Sequence, residues 1–145
     1  LKRKPCHVFG DGVDLFLSGQ NRFIPDGMIV CDPCKIKRDG VYGAPDLVIE
    51  VLSPSTARND RGPKKDTYEA AGVREYWIVE PDTKSVEVYL FKDGKFVLDN
   101  VYSVYPDYLL GKMSAEEKAA VPTDFHCSLY DDLTITLEDI FADTF

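Results

Sequence analysis

A single acidic residue interrupts an otherwise apolar segment of this chain. Residues 47–52 read Leu-Val-Ile-Glu-Val-Leu, a run typical of a strand buried on both faces, and Glu50 is its only polar member. Burying an unpaired carboxylate is costly. A metal ion, a lysine or a shifted pKa would offset that cost. We therefore expect Glu50 to belong to a functional site whose other members come from neighbouring elements.

Two further carboxylates are candidates for that site. Asp46 shares a strand face with Glu50, but at about 3.3 Å per residue the two are about 13 Å apart and cannot chelate one ion. Asp26 is the preferred partner, because an antiparallel hairpin would place it beside Glu50. We expect Asp26 and Glu50 to hold Mg²⁺, with Asp46 as a support. Alternatively, Asp26 is a turn residue in Pro-Asp-Gly and Asp46 bonds backbone amides.

A cation is available on the helix predicted after this strand. Lys64 and Tyr68 are four residues apart and share a helix face. Lys64 is therefore expected to reach back over the strand end to Glu50, although a solvated position is the usual fate of lysine. Lys65, on the adjacent face, is expected to be solvated. Tyr68 is expected in the core or at its rim.

The elements that position these groups follow from hydrophobic patterns and turn residues. Strands are predicted at residues 13–18, 23–31 (interrupted at Pro25-Asp26-Gly27), 46–52, 75–80, 85–91, 95–101, 125–129 and 133–137. A helix from Asn59 or Asp60 to Ala71, a capped helix at 114–120 and a closing turn at 138–141 complete the pattern, and residues 32–44 are predicted to be a loop. The strand–helix–strand order predicts that the strands at 46–52 and 75–80 are parallel.

Composition limits the possible functions. The chain has 145 residues, of which 44% are hydrophobic and 29% charged, a length and balance that fit one globular domain. Its net charge of -8 gives no general attraction for nucleic acid. Binding DNA would need a metal ion or a local basic patch, and residues 2–4 and 35–38 are basic clusters. No apolar run could span a membrane and no signal peptide opens the chain, so we expect a cytoplasmic protein.

The four cysteines are Cys6, Cys31, Cys34 and Cys127. Reduced thiols are the expectation for a cytoplasmic protein. Cys31 and Cys34 form a lone CxxC, and a zinc site would need two more ligands. His7 and His126 would supply them only if both chain ends met this loop. Structural cysteines are therefore favoured over a zinc-binding module.

The ordered set of motifs resembles a known group of enzymes. Two carboxylates on a hairpin, a lysine, a crossover helix and a central strand resemble the PD-(D/E)xK nuclease superfamily. One branch, the Uma family of restriction endonucleases, is more similar. The residues that carry this resemblance are Pro25-Asp26, the segment 43–56, Asp60-Arg61 with Lys64 and Tyr68, and the segment 72–79. It covers about residues 5–105 and again 129–141.

The resemblance implies an α+β fold: a restriction-endonuclease-like mixed β-sheet core with one crossover helix and additional antiparallel hairpins. It also implies a homodimer, and a single domain over residues 1–145 that lacks the family's upstream helical segment. The superfamily's Glu-x-Lys reads Glu50-Val51-Leu52 here, so the role of the lysine passes to Lys64.

The implied activity is hydrolysis of DNA phosphodiester bonds with Mg²⁺ or Mn²⁺. Asp26 and Glu50 would hold the metal, which lowers the pKa of a bound water. Lys64 would orient that water or stabilise charge on the phosphate, and Asp46 would assist. The alternative is a catalytically degenerate nuclease fold that serves as an interaction or regulatory module.

Overall fold

The computed structural model describes residues 6–18, 21–53, 61–129 and 134–141. In chain order its strands are β1 (His7–Phe9), β2 (Leu15–Phe16), β3 (Arg22–Phe23), β4 (Gly27–Val30), β5 (Ile36–Lys37), β6 (Gly40–Tyr42), β7 (Leu47–Val51), β8 (Glu75–Glu80), β9 (Ser85–Lys92), β10 (Lys95–Ser103), β11 (Asp124–His126) and β12 (Thr134–Thr136). The helices are α1 (Pro63–Ala71), α2 (Asp107–Leu110), α3 (Ala115–Ala120) and α4 (Leu137–Phe141), and a 3₁₀ turn covers Pro33–Lys35.

The main sheet has six strands in the spatial order β1-β4-β7-β8-β9-β10. The pair β7–β8 is parallel, and the other four neighbouring pairs are antiparallel. The predicted parallel crossover and the predicted β9–β10 hairpin are therefore confirmed. So is the hairpin on which the site depends, because β4 runs antiparallel to β7 with Gly27 opposite Ile49.

Helix α1 makes the crossover between β7 and β8. Pro63 occupies its first turn, where a missing backbone N–H costs nothing. Gly72 ends the helix with φ +86°, a left-handed conformation that glycine adopts without strain. The predicted helix end is thus confirmed. The predicted helix start at Asn59 or Asp60 lies outside the described residues, and so does the basic cluster at residues 2–4.

Both faces of the main sheet are covered. Tyr76 and Ile78 of β8 point to one face, where they pack with Tyr68 of α1 and with apolar residues of a second, smaller sheet. Trp77 and Val79 point to the other face, against side chains of β11, β12 and α4. This arrangement explains why the four inner residues of β8, 76–79, are all apolar or aromatic, and it confirms the α+β fold predicted from the sequence.

The smaller sheet corrects two predictions. Residues 32–44 are not a loop: β5 and β6 join β2 and β3 in a four-stranded sheet of order β3-β2-β6-β5. The fully buried Val41 anchors this polar segment to the core. The strand predicted at 23–31 is in fact two strands in different sheets, because Pro25 and Asp26 separate β3 from β4.

The C-terminal part of the described chain follows the sequence pattern closely. Ser114 and Glu117 form the predicted capping box at the start of α3. Strands β11 and β12 pair antiparallel, and α4 replaces the expected closing turn. The short helix α2 was not predicted. No helix of the described residues is long and apolar enough to cross a membrane, and the cytoplasmic location stays a prediction.

A disulfide joins Cys6 to Cys31, so the expectation of reduced thiols is wrong for this pair. The reason is strand register: His7 lies opposite Val30 in the β1–β4 ladder, which brings the two cysteines face to face one position further along. The disulfide thereby removes Cys31 from the CxxC pair that the zinc alternative requires. Cys34 and Cys127 are free thiols, exposed and buried respectively.

These cysteine environments predict a sharp difference in reactivity. Burial raises the pKa of the Cys127 thiol to about 11, whereas Cys34 is exposed. Because the thiolate is the nucleophile, iodoacetamide at pH 8 without reductant should modify Cys34 quickly and Cys127 only after unfolding. Peptide mass spectrometry would locate the label, and Cys34→Ser should abolish the fast reaction. Rapid labelling of Cys6 or Cys31 in the native protein would contradict the disulfide.

Candidate active site

Glu50 lies near the end of β7 and is 1% exposed. Both of its carboxylate oxygens accept hydrogen bonds. Lys64 Nζ donates to Oε2 at 2.9 Å, the Tyr68 hydroxyl donates to Oε2 at 3.1 Å, and the backbone N–H of Asp26 donates to Oε1 at 3.2 Å. The buried charge is therefore compensated by a cation and by two polar hydrogens from separate elements.

Helix α1 supplies two of these groups from one face. Lys64 and Tyr68 are one turn apart, and the helix packs so that both side chains point at the end of β7. Tyr68 is fully buried, and its ring lies 5.3 Å from the rings of both Phe23 and Tyr76. The Lys64 side chain keeps 19% exposure. The hydroxyl is thus fixed by packing, while the ammonium stays at the rim of the core.

Asp26 lies just before β4 and beside Glu50, as the hairpin prediction requires. Its neighbour Gly27 is opposite Ile49, which places Asp26 next to Glu50 in the ladder. Its Oδ2 accepts a hydrogen bond from the backbone N–H of Val51 at 2.7 Å. Asp26 is exposed, so its carboxylate lies at the solvent-facing end of the inner strands β4 and β7.

Asp46 is not brought to Glu50. It precedes β7, and its Oδ2 accepts a hydrogen bond from the backbone N–H of Cys31 at 2.7 Å. Its Oδ1 lies 3.6 Å from Nη1 of Arg74. These contacts match the alternative that an aspartate at a strand entrance bonds backbone amides. A supporting role for Asp46 in catalysis stays a prediction.

Asp26 and Glu50 form a donor set that suits a hard divalent cation. Mg²⁺ binds through one or two carboxylates and keeps waters or substrate oxygens in its other positions. Within the described ranges there is no group of three or more His, Cys, Asp and Glu side chains able to hold a metal. A pair of oxygen donors with open positions fits Mg²⁺ or Mn²⁺ better than zinc, which takes cysteine and histidine.

Leu52 occupies the position at which the superfamily pattern places a lysine. It is 5% exposed and packs in the same apolar cluster as Tyr68. An ammonium group there would be buried in the core. The cation comes instead from the helix, where Lys64 reaches the same carboxylate from a partly exposed position.

A second charged cluster lies two strands away on the same face, and the sequence reasoning missed it. Glu87 of β9 binds the Arg61 guanidinium and accepts a hydrogen bond from the Tyr89 hydroxyl at 2.7 Å. Lys65 Nζ lies 4.3 Å from the centre of the Tyr89 ring, so the expectation of a merely solvated Lys65 is wrong. The alternation of Glu87 and Tyr89 with buried Val86 and Val88 is the signal that could have revealed this cluster.

A second buried carboxylate, Glu75, was also missed. It is 1% exposed and lies at the other end of the sheet, opposite Leu47. The backbone N–H of Ser128 donates to its Oε1 at 3.1 Å, and the Trp77 indole donates to Oε2. Glu75 therefore fastens the C-terminal segment to the sheet, and it serves as a matched control for Glu50.

The mixed sheet, its crossover helix and a carboxylate–lysine site at the end of a central strand define a nuclease-like protein. The chain belongs to the Uma2 family, described as "Putative restriction endonuclease", whose model matches residues 1–127. The resemblance seen in the sequence is therefore confirmed.

Two individual proteins are similar to this chain. The uncharacterized protein slr1290 of Synechocystis sp. is 37% identical over 84 residues, a stretch that covers 56% of this chain and 44% of that protein. This chain thus matches less than half the length of that relative. A crystal structure from Anabaena variabilis, described as a "putative nuclease belonging to DUF820", aligns with a TM-score of 0.65 at 18% identity. It covers 97% of this chain and 70% of its own, and supports the fold.

The Glu50–Lys64 contact predicts a measurable cost of mutation. Lys64→Met removes the cation beside a buried carboxylate and should lower the free energy of unfolding by about 3 kcal/mol. The neighbouring Lys65→Met removes an equal charge but only a half-buried cation–π contact, so its cost should be about 1 kcal/mol. Urea unfolding would measure both.

A double variant tests the cause. Glu50→Gln in the Lys64→Met background removes the buried negative charge itself and should recover most of the lost stability. Equal stability of Lys64→Met and Lys65→Met would contradict a stabilising ion pair at Glu50.

Proposed function

We propose that this protein is a Mg²⁺- or Mn²⁺-dependent DNA endonuclease that hydrolyses phosphodiester bonds at the end of β7. The observation that carries the proposal is the convergence of Asp26, Glu50 and Lys64 at one end of the inner strands of the main sheet. Two carboxylates and a lysine at that end of the strands would hold a metal ion and place a cation beside a bound phosphate. Family membership supports the same reaction class.

Asp26 and Glu50 would hold the metal through their carboxylates. When bound, a divalent ion polarises the phosphoryl group and lowers the pKa of a coordinated water. Glu50 Oε1 faces the Asp26 backbone, and its Oε2 is already held by the Tyr68 hydroxyl. Glu50 is therefore oriented before any ligand arrives, which reduces the reorganisation needed in the reaction.

Lys64 has a separate role in the proposal. Its ammonium balances Glu50 in the absence of a metal, and a divalent cation at the carboxylates would take over that balance. The Lys64 side chain, partly exposed and carried by a flexible stem, would then turn to the substrate. There it would orient the attacking water or stabilise negative charge on the phosphate. The net charge of -8 is compatible with DNA binding because the divalent cation and Lys64 would place positive charge directly beside the bound phosphate.

Metal binding and cleavage test the proposal directly. Glu50→Gln should weaken Mn²⁺ binding in a calorimetric titration at least tenfold. It should also slow nicking of supercoiled plasmid about a hundredfold, equivalent to about 2.7 kcal/mol of transition-state stabilisation. Glu75→Gln removes a carboxylate of equal burial at the opposite end of the sheet. Its Mn²⁺ affinity and nicking rate should stay within threefold of wild type at a temperature where both variants are folded.

The same titration separates the proposed enzyme from a degenerate nuclease fold. A wild-type protein that binds no Mn²⁺, and whose nicking matches the Glu50→Gln background, would overturn the endonuclease and favour an interaction or regulatory module. Equal losses in the Glu50 and Glu75 variants would show a general effect of destabilisation instead of a metal site.

A homodimer is part of the proposal, and we place its interface at the β10 edge. This edge strand of the main sheet exposes Val97, Leu98 and Val101, each close to half of its surface. Apolar side chains along a free strand edge favour association with a second sheet. Multi-angle light scattering over a concentration series should give twice the 16.3 kDa mass of one chain.

Leu98→Lys should shift this equilibrium to the monomer. The matched control is Val8→Lys, which adds the same charge at an exposed position of β1, the opposite edge of the sheet. A mass of 16.3 kDa at all concentrations would contradict the dimer, and equal effects of the two variants would contradict the β10 interface.

A further inference from the structure

The Arg61–Glu87 cluster lies in register with the candidate active site. Glu50 is opposite Ile78 in β8, and Ile78 is opposite Glu87 in β9. The side chains of all three point to the face covered by α1. With neighbouring strands about 4.8 Å apart, the backbones of Glu50 and Glu87 are about 10 Å apart.

Three cations, one just before α1 and two in its first turn, lie over this row and the neighbouring Tyr89. Lys64 contacts Glu50, Arg61 contacts Glu87, and Lys65 lies over the ring of Tyr89. Arg61 keeps 44% exposure of its side chain, whereas Glu87 keeps 17%. The guanidinium therefore presents part of its surface to solvent, while the less exposed Glu87 carboxylate binds its other side.

We propose that Arg61, assisted by Lys65, binds a phosphate of the substrate strand that flanks the scissile phosphate. This inference rests on the proposed nuclease function. Phosphates rise about 3.4 Å per nucleotide along the duplex axis and follow a longer path around it, so a separation of about 10 Å spans at most about three nucleotides of one strand. A guanidinium is the side chain best suited to bind phosphate oxygens in a two-point geometry.

The surroundings of Arg61 hold it ready for this role. Glu87 orients the guanidinium, and the Tyr89 hydroxyl in turn holds Glu87. Burial raises the pKa of Tyr89 to about 12, so its hydroxyl stays protonated and continues to donate at any working pH. Glu87 is also a competitor, because it occupies the guanidinium that a phosphate would need.

That competition separates a binding role from a structural one. If Arg61 serves only to pair with Glu87, removing either partner should have the same effect on DNA binding. If Arg61 binds phosphate, removing Arg61 should weaken binding, whereas Glu87→Gln frees the guanidinium and should strengthen it. The two roles thus predict opposite signs for the Glu87 variant.

The experiment measures binding of a fluorescent 20-base-pair DNA duplex by anisotropy over a range of salt concentrations, and plasmid nicking kinetics with Mg²⁺. Arg61→Ala should weaken binding about tenfold and reduce the salt-dependence slope by about one. It should raise KM while changing kcat less than twofold. Lys65→Ala should weaken binding about threefold, and Glu87→Gln should tighten it about threefold.

The control is Arg74→Ala. Arg74 is an exposed arginine beside a carboxylate, Asp46, at the opposite end of β7. This variant makes the same change in net charge and should leave DNA affinity within twofold of wild type. Circular dichroism at the assay temperature would verify that each variant is folded.

Two results would overturn this inference and leave the proposed function intact. In the first, the wild-type protein cleaves DNA and Arg61→Ala keeps the wild-type DNA affinity and salt slope. In the second, Glu87→Gln weakens DNA binding as much as Arg61→Ala does. A wild-type protein that binds no DNA would overturn the proposed function and this inference together. The behaviour of the wild type therefore tells the two failures apart.

Discussion

The rest of the structure depends on compensating one buried carboxylate. Glu50 lies inside the sheet, and a charge there would be untenable without partners from at least one other element. Those partners constrain the fold: α1 must cross so that Lys64 and Tyr68 face β7, and the chain must enter β4 with the Asp26 backbone beside Glu50. A helix displaced by one residue would turn both side chains away from the carboxylate.

The contacts that make this burial tolerable are also those that the proposed chemistry requires. A lysine beside a carboxylate stabilises the resting protein, and the same lysine must leave that carboxylate to act on a phosphate. The Tyr68 hydroxyl would resolve this conflict, because it is fixed in the core by Phe23 and Tyr76 and would stay on Glu50 Oε2 if Lys64 moved to a phosphate. Stability and readiness for catalysis are therefore divided between two donors on one helix face.

The parts of the fold that local patterns encode could be predicted. Apolar runs, turn residues and one exceptional acid were sufficient to predict the β7–α1–β8 crossover, the Asp26–Glu50 hairpin and the Lys64 contact. The parts that depend on register between distant segments could not. The Cys6–Cys31 disulfide follows from β1–β4 pairing, and the β5–β6 hairpin is polar and is held by one buried valine. The Arg61–Glu87 contact likewise joins the segment before α1 to β9 across 26 residues.

The distribution of charge matters more here than its sum. The chain carries a net charge of -8, which would suggest repulsion of a polyanion. At physiological salt, however, interactions between exposed charges fade over a Debye length of about 8 Å, so distant acidic residues act weakly on a phosphate bound at the site. Arg61 lies just before α1, Lys64 and Lys65 lie in its first turn, and all three contact side chains on the same face of the sheet. A phosphate there would meet these cations at contact distance, where direct ion pairs and hydrogen bonds outweigh the screened field of the remaining surface.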